Sequence, residues 1–186
     1  MSAADSFTVS RYYPVSVECI WDTVNSRELI LADWALELDG VIAQPGTSLK
    51  IKVLGIPGTQ FCGKLVCKYL EVIHYRRITF QLVPFAAPLW TLNGQWEFTK
   101  QERGTSVHFA LSGFGPRRDH RLVRHVIKGA MEHVMRRIGQ SLDAAQCPPP
   151  VETHQIVCHR KPSLVNVDHI RLPSKHELCH HGRQLC

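Results

Sequence analysis

Residues 117–142 read RRDHRLVRHVIKGAMEHVMRRIGQSL. Within them Leu122, Val123, Val126, Ile127, Ala130, Met131, Val134, Met135, Ile138 and Leu142 recur at the three- and four-residue steps of one helical face. Arg118, Arg121, Arg124, Lys128, Glu132 and Arg136 take the other side. The spacing predicts a helix of about 25 residues, on the order of 37 Å long at 1.5 Å per residue. Such a helix draws most of its stability from laying its apolar stripe on a partner surface. Cys147-Pro148-Pro149-Pro150 ends it, since proline offers no N–H and clashes with the preceding turn.

The partner surface lies upstream. From Ala35 to Phe114 the apolar period falls to two, the repeat of strands with one buried face. Leu36, Leu38 and Val41 suggest one strand before Pro45-Gly46, and Leu49, Ile51 and Val53 alternate with Lys50 and Lys52 in the next. Phe61, Leu65 and Tyr69 share a longer strand, and Ile78, Phe80 and Leu82 alternate with Arg77, Thr79 and Gln81. Trp90, Leu92, Gly94, Trp96 and Phe98 fall on one face of a strand that turns at Glu102-Arg103-Gly104. Gly104 is expected in the left-handed conformation there. Val107, Phe109 and Leu111 return. Short connections make this an antiparallel meander.

Ahead of the meander, Thr8–Tyr13 suits a strand and Pro14 stops it. Ser16 is placed to cap a short helix carrying Glu18 in its first turn and Val17, Ile20, Trp21 and Val24 on one face. A second short helix, roughly Arg27 to Ala32, leads into Trp34.

Composition sets the class. An apolar fraction of 44% and a charged fraction of 20% fit a globular chain rather than a disordered one. No basic stretch followed by an apolar run stands at Met1-Ser2-Ala3-Ala4, and no run of about 18 apolar residues is present, so a cytoplasmic location without a membrane span is expected. The seven cysteines are then expected as thiols. A net charge of +6 permits peripheral contact with anionic surfaces through the basic side of the long helix. Aromatics are not interleaved with these charges, so nucleic acid is not an expected partner. Residues 147–186 show no sustained period, yet hold six of the eleven histidines and four of the seven cysteines. Cys158, His159, His176, Cys179, His180 and His181 match no zinc-site spacing, so no metal is expected.

The order of one strand, two short helices, a six-strand meander and a long helix resembles the START/polyketide cyclase/Bet v 1-like (SRPBCC) superfamily. Tyr12-Tyr13-Pro14-Val15-Ser16-Val17-Glu18-Cys19-Ile20-Trp21 resembles its opening strand and first helix, and Glu28–Trp34 its second helix. Gly94-Gln95-Trp96-Glu97-Phe98 with Gly104-Thr105-Ser106-Val107 resembles its late hairpin, and Gly129–Leu142 its closing helix. The resemblance implies an α+β helix-grip fold over residues 1–146, with a curved antiparallel sheet of about seven strands around the long helix. Residues 147–186, Pro/His/Cys-rich, have no counterpart in that pattern and are expected as an irregular tail.

A cavity between sheet and helix for a lipid- or polyketide-like molecule is implied in turn, with no cofactor. Trp34, Phe61, Leu65, Phe80, Trp96, Phe109 and Met131 then either line that cavity or pack together as solid core. Some relatives of this type are cofactor-independent cyclases, aromatases or dehydratases. The polar candidates here for such chemistry are His108, His74, Tyr12, Asn93, Glu37 and Arg76. His108 lies between Val107 and Phe109, so alternation sends it to the opposite face. A carrier of a small hydrophobic ligand, a polyketide-type cyclase and a chaperone-interaction protein of the Hsp90-activator type are therefore the three readings. Neither the ligand nor the oligomeric state can be read from the sequence.

Overall fold

The structure is a computed structural model and describes residues 5–85 and 90–144. Strand β1 (Ser6–Tyr13) leads through Pro14 into helix α1 (Val17–Val24) and helix α2 (Arg27–Asp33). Both helices start on serine caps. Ser16 Oγ accepts from the Cys19 N–H at 3.4 Å, and Ser26 Oγ from the Leu29 N–H at 3.0 Å. The meander follows as β2 (Glu37–Asp39), β3 (Ser48–Lys52), β4 (Lys64–Ile73), β5 (Arg77–Pro84), β6 (Leu92–Gln101) and β7 (Gly104–Ser112), and helix α3 (Arg118–Ala144) closes the fold.

The seven strands lie in the order β1-β7-β6-β5-β4-β3-β2, with every neighbouring pair antiparallel. Helices α1 and α2 thus carry the chain from one edge of the sheet to the other, and the meander walks back until β7 pairs with β1. This is the helix-grip fold. Two local features mark the middle of the sheet. Leu70 is an extra residue between the Tyr69–Phe80 and Glu71–Thr79 pairs, and a bulge of this kind increases local twist. Opposite Phe80 stands Gly94, where a Cβ would come within 2.2 Å of the Phe80 ring. The ring folds over the bare glycine instead of standing off the sheet.

Helix α3 has β1, α1 and α2 as its backbone neighbours. The buried Tyr13 hydroxyl donates to the Met135 carbonyl at 2.6 Å, Arg124 donates to the Ser6 carbonyl at 3.1 Å, and Arg137 Nε donates to Asp33 Oδ1 at 2.7 Å. Val123, Met131, Val134, Met135, Ile138 and Leu142 are buried along it. The basic side is partly neutralised, because Arg117 meets Asp119 at 3.3 Å and Lys128 meets Glu132 at 3.7 Å.

Several expectations change. The strand expected over Leu36–Val41 shrinks to three residues, with Leu36 and Val41 exposed. Gly40 takes φ 126°, which turns the chain out of the ladder, and a Cβ there would meet the Ser48 carbonyl oxygen at 2.7 Å. Phe61 belongs to the loop before β4, and Trp90 precedes β6, with its indole N–H on the Gly113 carbonyl at 3.1 Å. Gly104 is not left-handed. It is glycine because a Cβ would sit 2.2 Å from the Tyr13 carbonyl oxygen and 2.6 Å from the Tyr12 hydroxyl. On α3, Leu122, Val126 and Ala130 are exposed, so its apolar stripe is wider than the face it buries. The tail and its Cys/His cluster lie outside the described residues.

Candidate ligand cavity

Between the concave face of the sheet and α3 lies a cavity of about 360 Å³. That volume falls at the lower end of the range occupied by small-molecule sites. Period-two alternation supplies the floor: Leu49 and Ile51 from β3, Leu65, Cys67 and Tyr69 from β4, Ile78, Phe80 and Leu82 from β5, Trp96 from β6, and Phe109 and Leu111 from β7. Helix α3 roofs it with Ile127, Met131, Val134 and Ile138, and the α1–α2 segment closes one side with Val24, Asn25, Leu29, Ile30, Asp33 and Trp34. Above the hollow α3 is tied to β1 and α2, and the bulge at Leu70 adds twist to β4.

Leu54 (76% exposed) and Val126 (42% exposed) are at once cavity-lining and open to water. They place the mouth between the β3–β4 loop and the middle of α3. Within that loop the Gly63 carbonyl accepts from Val53 at 2.7 Å and the Phe61 carbonyl from Ile56 at 2.9 Å. This turns the Phe61 ring inward, where it is buried on the cavity wall.

Few wall groups are polar. The Asn25 amide donates to the Trp21 carbonyl at 2.8 Å. Cys67 and Tyr69 are buried side by side on the inward face of β4. Burial pushes the Cys67 thiol up to about 12 and raises the Tyr69 phenol above its ordinary value, so both stay protonated near neutral pH. Asp33 is the wall's acidic group. Its side chain is only 3% exposed, Arg137 holds Oδ1, and Oδ2 has no hydrogen-bond partner among the described residues.

Trp34, Phe61, Leu65, Phe80, Trp96, Phe109 and Met131 all stand on this wall. The polar candidates for catalysis are elsewhere. His108 points outward from β7, its Nδ1 2.8 Å from Ser10 Oγ, and Tyr12 is exposed on β1. Asn93 is exposed and its Oδ1 accepts from Gln81 at 3.1 Å. Glu37 pairs with Lys52 at the β2 edge. His74 and Arg76 lie exposed in the β4–β5 turn, with His74 against Trp21 at 5.0 Å between ring centres. None of the six lines the cavity; His74 and Arg76 share the β4–β5 turn and the other four lie apart from it. Among the described residues no His, Cys, Asp and Glu side chains are grouped to hold a metal ion, and no helix is long and apolar enough to cross a membrane. The sequence reading missed Asp33, Cys67 and Tyr69. Alternation does put Cys67 and Tyr69 on the inward face with Leu65, whereas no local signal marks Asp33.

No protein-family model matches the sequence, and no curated protein does. Solved structures match the fold. Protein MLL2253 from Mesorhizobium loti is 20% identical with a TM-score of 0.62, over 75% of this chain and 97% of that one. Protein NE0264 from Nitrosomonas europaea is 15% identical with a TM-score of 0.60, over 80% of this chain and all of that one. DynU16, a protein of the dynemicin biosynthetic locus, is 16% identical with a TM-score of 0.58, over 76% of this chain and 48% of that one. At these identities the likeness is one of fold.

Proposed function

We propose that this chain is a START/polyketide cyclase/Bet v 1-like protein that binds or carries a small hydrophobic molecule in the cavity beneath α3. The observation carrying this reading is an almost wholly apolar hollow whose rim, Leu54 and Val126, is open to water. Taking apolar ligand surface out of water contributes about 25 cal/mol per Å², and such a wall needs little polar matching in return. The cyclase reading has less support. Proton shuttling calls for an acid and a base within reach of one substrate. Here the wall offers two neutral groups and one ion-paired carboxylate. A chaperone-interaction role would be favoured by a solid core under an exposed apolar sheet face. Instead the hollow is open, and the outer face of β6 carries Asn93, Gln95, Glu97 and Thr99.

The test is titration of the purified full chain with prodan, a solvatochromic naphthalene that has no hydrogen-bond donor. A blue-shifted, saturable emission is expected. Trp96→Ala removes a ring packed 4.7 Å from Phe109 on the wall, and should weaken binding roughly five-fold, the equivalent of about 1 kcal/mol of aromatic contact. Unchanged affinity in a variant that melts like the parent would remove the cavity from consideration.

A further inference from the structure

The register of the strands puts the ends of β3, β5 and β7 and the starts of β1, β2, β4 and β6 along one end of the sheet. The bond from Arg124 to the Ser6 carbonyl brings the first turns of α3 to the same end, and the cavity mouth opens there between Leu54 and Val126. Large apolar side chains surround it in the open: besides those two, Leu36, Phe85 and Leu122 are exposed. The Leu36 N–H donates to the Lys52 carbonyl at 2.7 Å and the Phe85 N–H to the Lys64 carbonyl at 3.0 Å, which fixes both residues at this rim. Leu122 stands one helical turn before Val126. Charge here is one-sided. Lys52, Lys64, Arg117, Arg118, Arg121 and Arg124 stand at this end against Asp5, Glu37 and Asp119. Glu37 faces Lys52 and Asp119 faces Arg117, so neither offsets the exposed Lys64, Arg118 and Arg121, which form no ion pair among the described residues.

We propose that this end of the molecule is a docking face for an anionic phospholipid bilayer, seated so that the cavity mouth opens against the membrane. Exposed apolar side chains rimmed by polar ones mark a surface that meets a partner or a membrane. Leu54 and Phe85, projecting from connections rather than from a flat face, suit insertion among lipid chains, while Lys64, Arg118 and Arg121 suit the phosphates and carboxylates of anionic headgroups. A second copy of this chain fits less well. A two-fold contact sets the same patch against itself, so the unpaired cations of one copy would face those of the other at a cost. The proposal goes beyond the ligand-binding reading and depends on it only for the direction of entry: a ligand of the cavity would pass between bilayer and hollow without crossing water.

The experiment is co-sedimentation of the full chain with vesicles of phosphatidylcholine alone and of phosphatidylcholine with about one-third phosphatidylserine. Binding is expected to the second kind and to weaken as salt is added. Arg118→Glu/Arg121→Glu should lower partitioning at least about thirty-fold, the loss of two cations near a charged surface. Arg76→Glu/Lys100→Glu makes the same change of net charge at the opposite end of the sheet and should leave partitioning close to the parent's. Phe85→Ser/Leu122→Ser should lower it about ten-fold or more, whereas Val41→Ser/Leu70→Ser, which trims exposed apolar side chains away from the mouth, should not. Phe85, Leu122, Arg118 and Arg121 lie outside the cavity wall, so these variants should take up prodan in the absence of vesicles as the parent does. Equal binding to both kinds of vesicle, or equal losses from the two charge variants or from the two apolar variants, overturns the docking face. So does a parent chain that dimerises and is made monomeric by Phe85→Ser/Leu122→Ser, since a second copy then covers the face. Prodan uptake without vesicle binding overturns this proposal and leaves the ligand-binding reading standing; vesicle binding with this pattern of losses but no prodan uptake does the reverse.

Discussion

Raising the pH should unfold this domain by a route that runs through three buried side chains. Cys67, Tyr69 and Tyr13 are held protonated by burial: the thiol moves from an ordinary value of 9.0 to about 12, and both phenols rise above theirs of 10.0. Above those ordinary values the unfolded chain sheds the three protons while the folded chain keeps them. The folded state then binds more protons, so the unfolding free energy falls as pH rises. Below about pH 9 none of this stability is lost. Each group then costs about 1.4 kcal/mol per pH unit beyond its own unfolded value. Two units for the thiol and one for each phenol remove roughly 5 kcal/mol by about pH 11, a large share of the 5–15 kcal/mol typical of a domain. The assay is urea unfolding under reductant between about pH 7.5 and 11, for the parent and for Cys67→Val/Tyr13→Phe/Tyr69→Phe. The variant loses the 2.6 Å bond from Tyr13 to Met135 and starts less stable, but its profile should be flatter. Exposed groups titrate equally in both chains and cancel. Parallel profiles for the two proteins would refute the reasoning.

Two further outcomes follow from the cavity wall. Gly94→Ala puts a methyl 2.2 Å from the Phe80 ring, so the ring must swing into the hollow. Overpacking of this kind costs about 1–3 kcal/mol, and prodan uptake should fall with it, whereas a melt and an uptake curve matching the parent would show that the ring has room to spare. Cys67 should resist maleimide in the native chain near neutral pH while the exposed Cys62 is labelled within minutes, as read by peptide mass mapping. Labelling of both at similar rates would mean that the thiol is neither buried nor raised.

The order of elements was legible from local pattern alone. Ser16 ahead of Val17, Ile20, Trp21 and Val24, with Glu18 in the first turn, specifies a capped amphipathic helix whatever lies around it, and the structure has that helix at Val17–Val24. The alternation in Ile78–Leu82 and Val107–Leu111 likewise appears as buried strand faces. Glycine was harder to read. Gly104 looked like a turn residue and is one that lets Tyr12 and Tyr13 approach closely, while Gly94 accommodates a ring from a neighbouring strand. A missing Cβ states that space is short without stating what fills it.

Periodicity therefore determined which faces are apolar, and with them the two short helices, the meander and the long closing helix. Whether those faces touch or stand apart was decided by the tertiary structure. The position of α3 over the sheet rests on the Tyr13–Met135 and Asp33–Arg137 bonds, which join residues more than a hundred positions apart. For the same reason Asp33 reads in sequence as an ordinary helix-end acid. Only the arrival of α3 beside α2 buries its carboxylate, takes up one oxygen and leaves the other buried without a hydrogen-bond partner among the described residues.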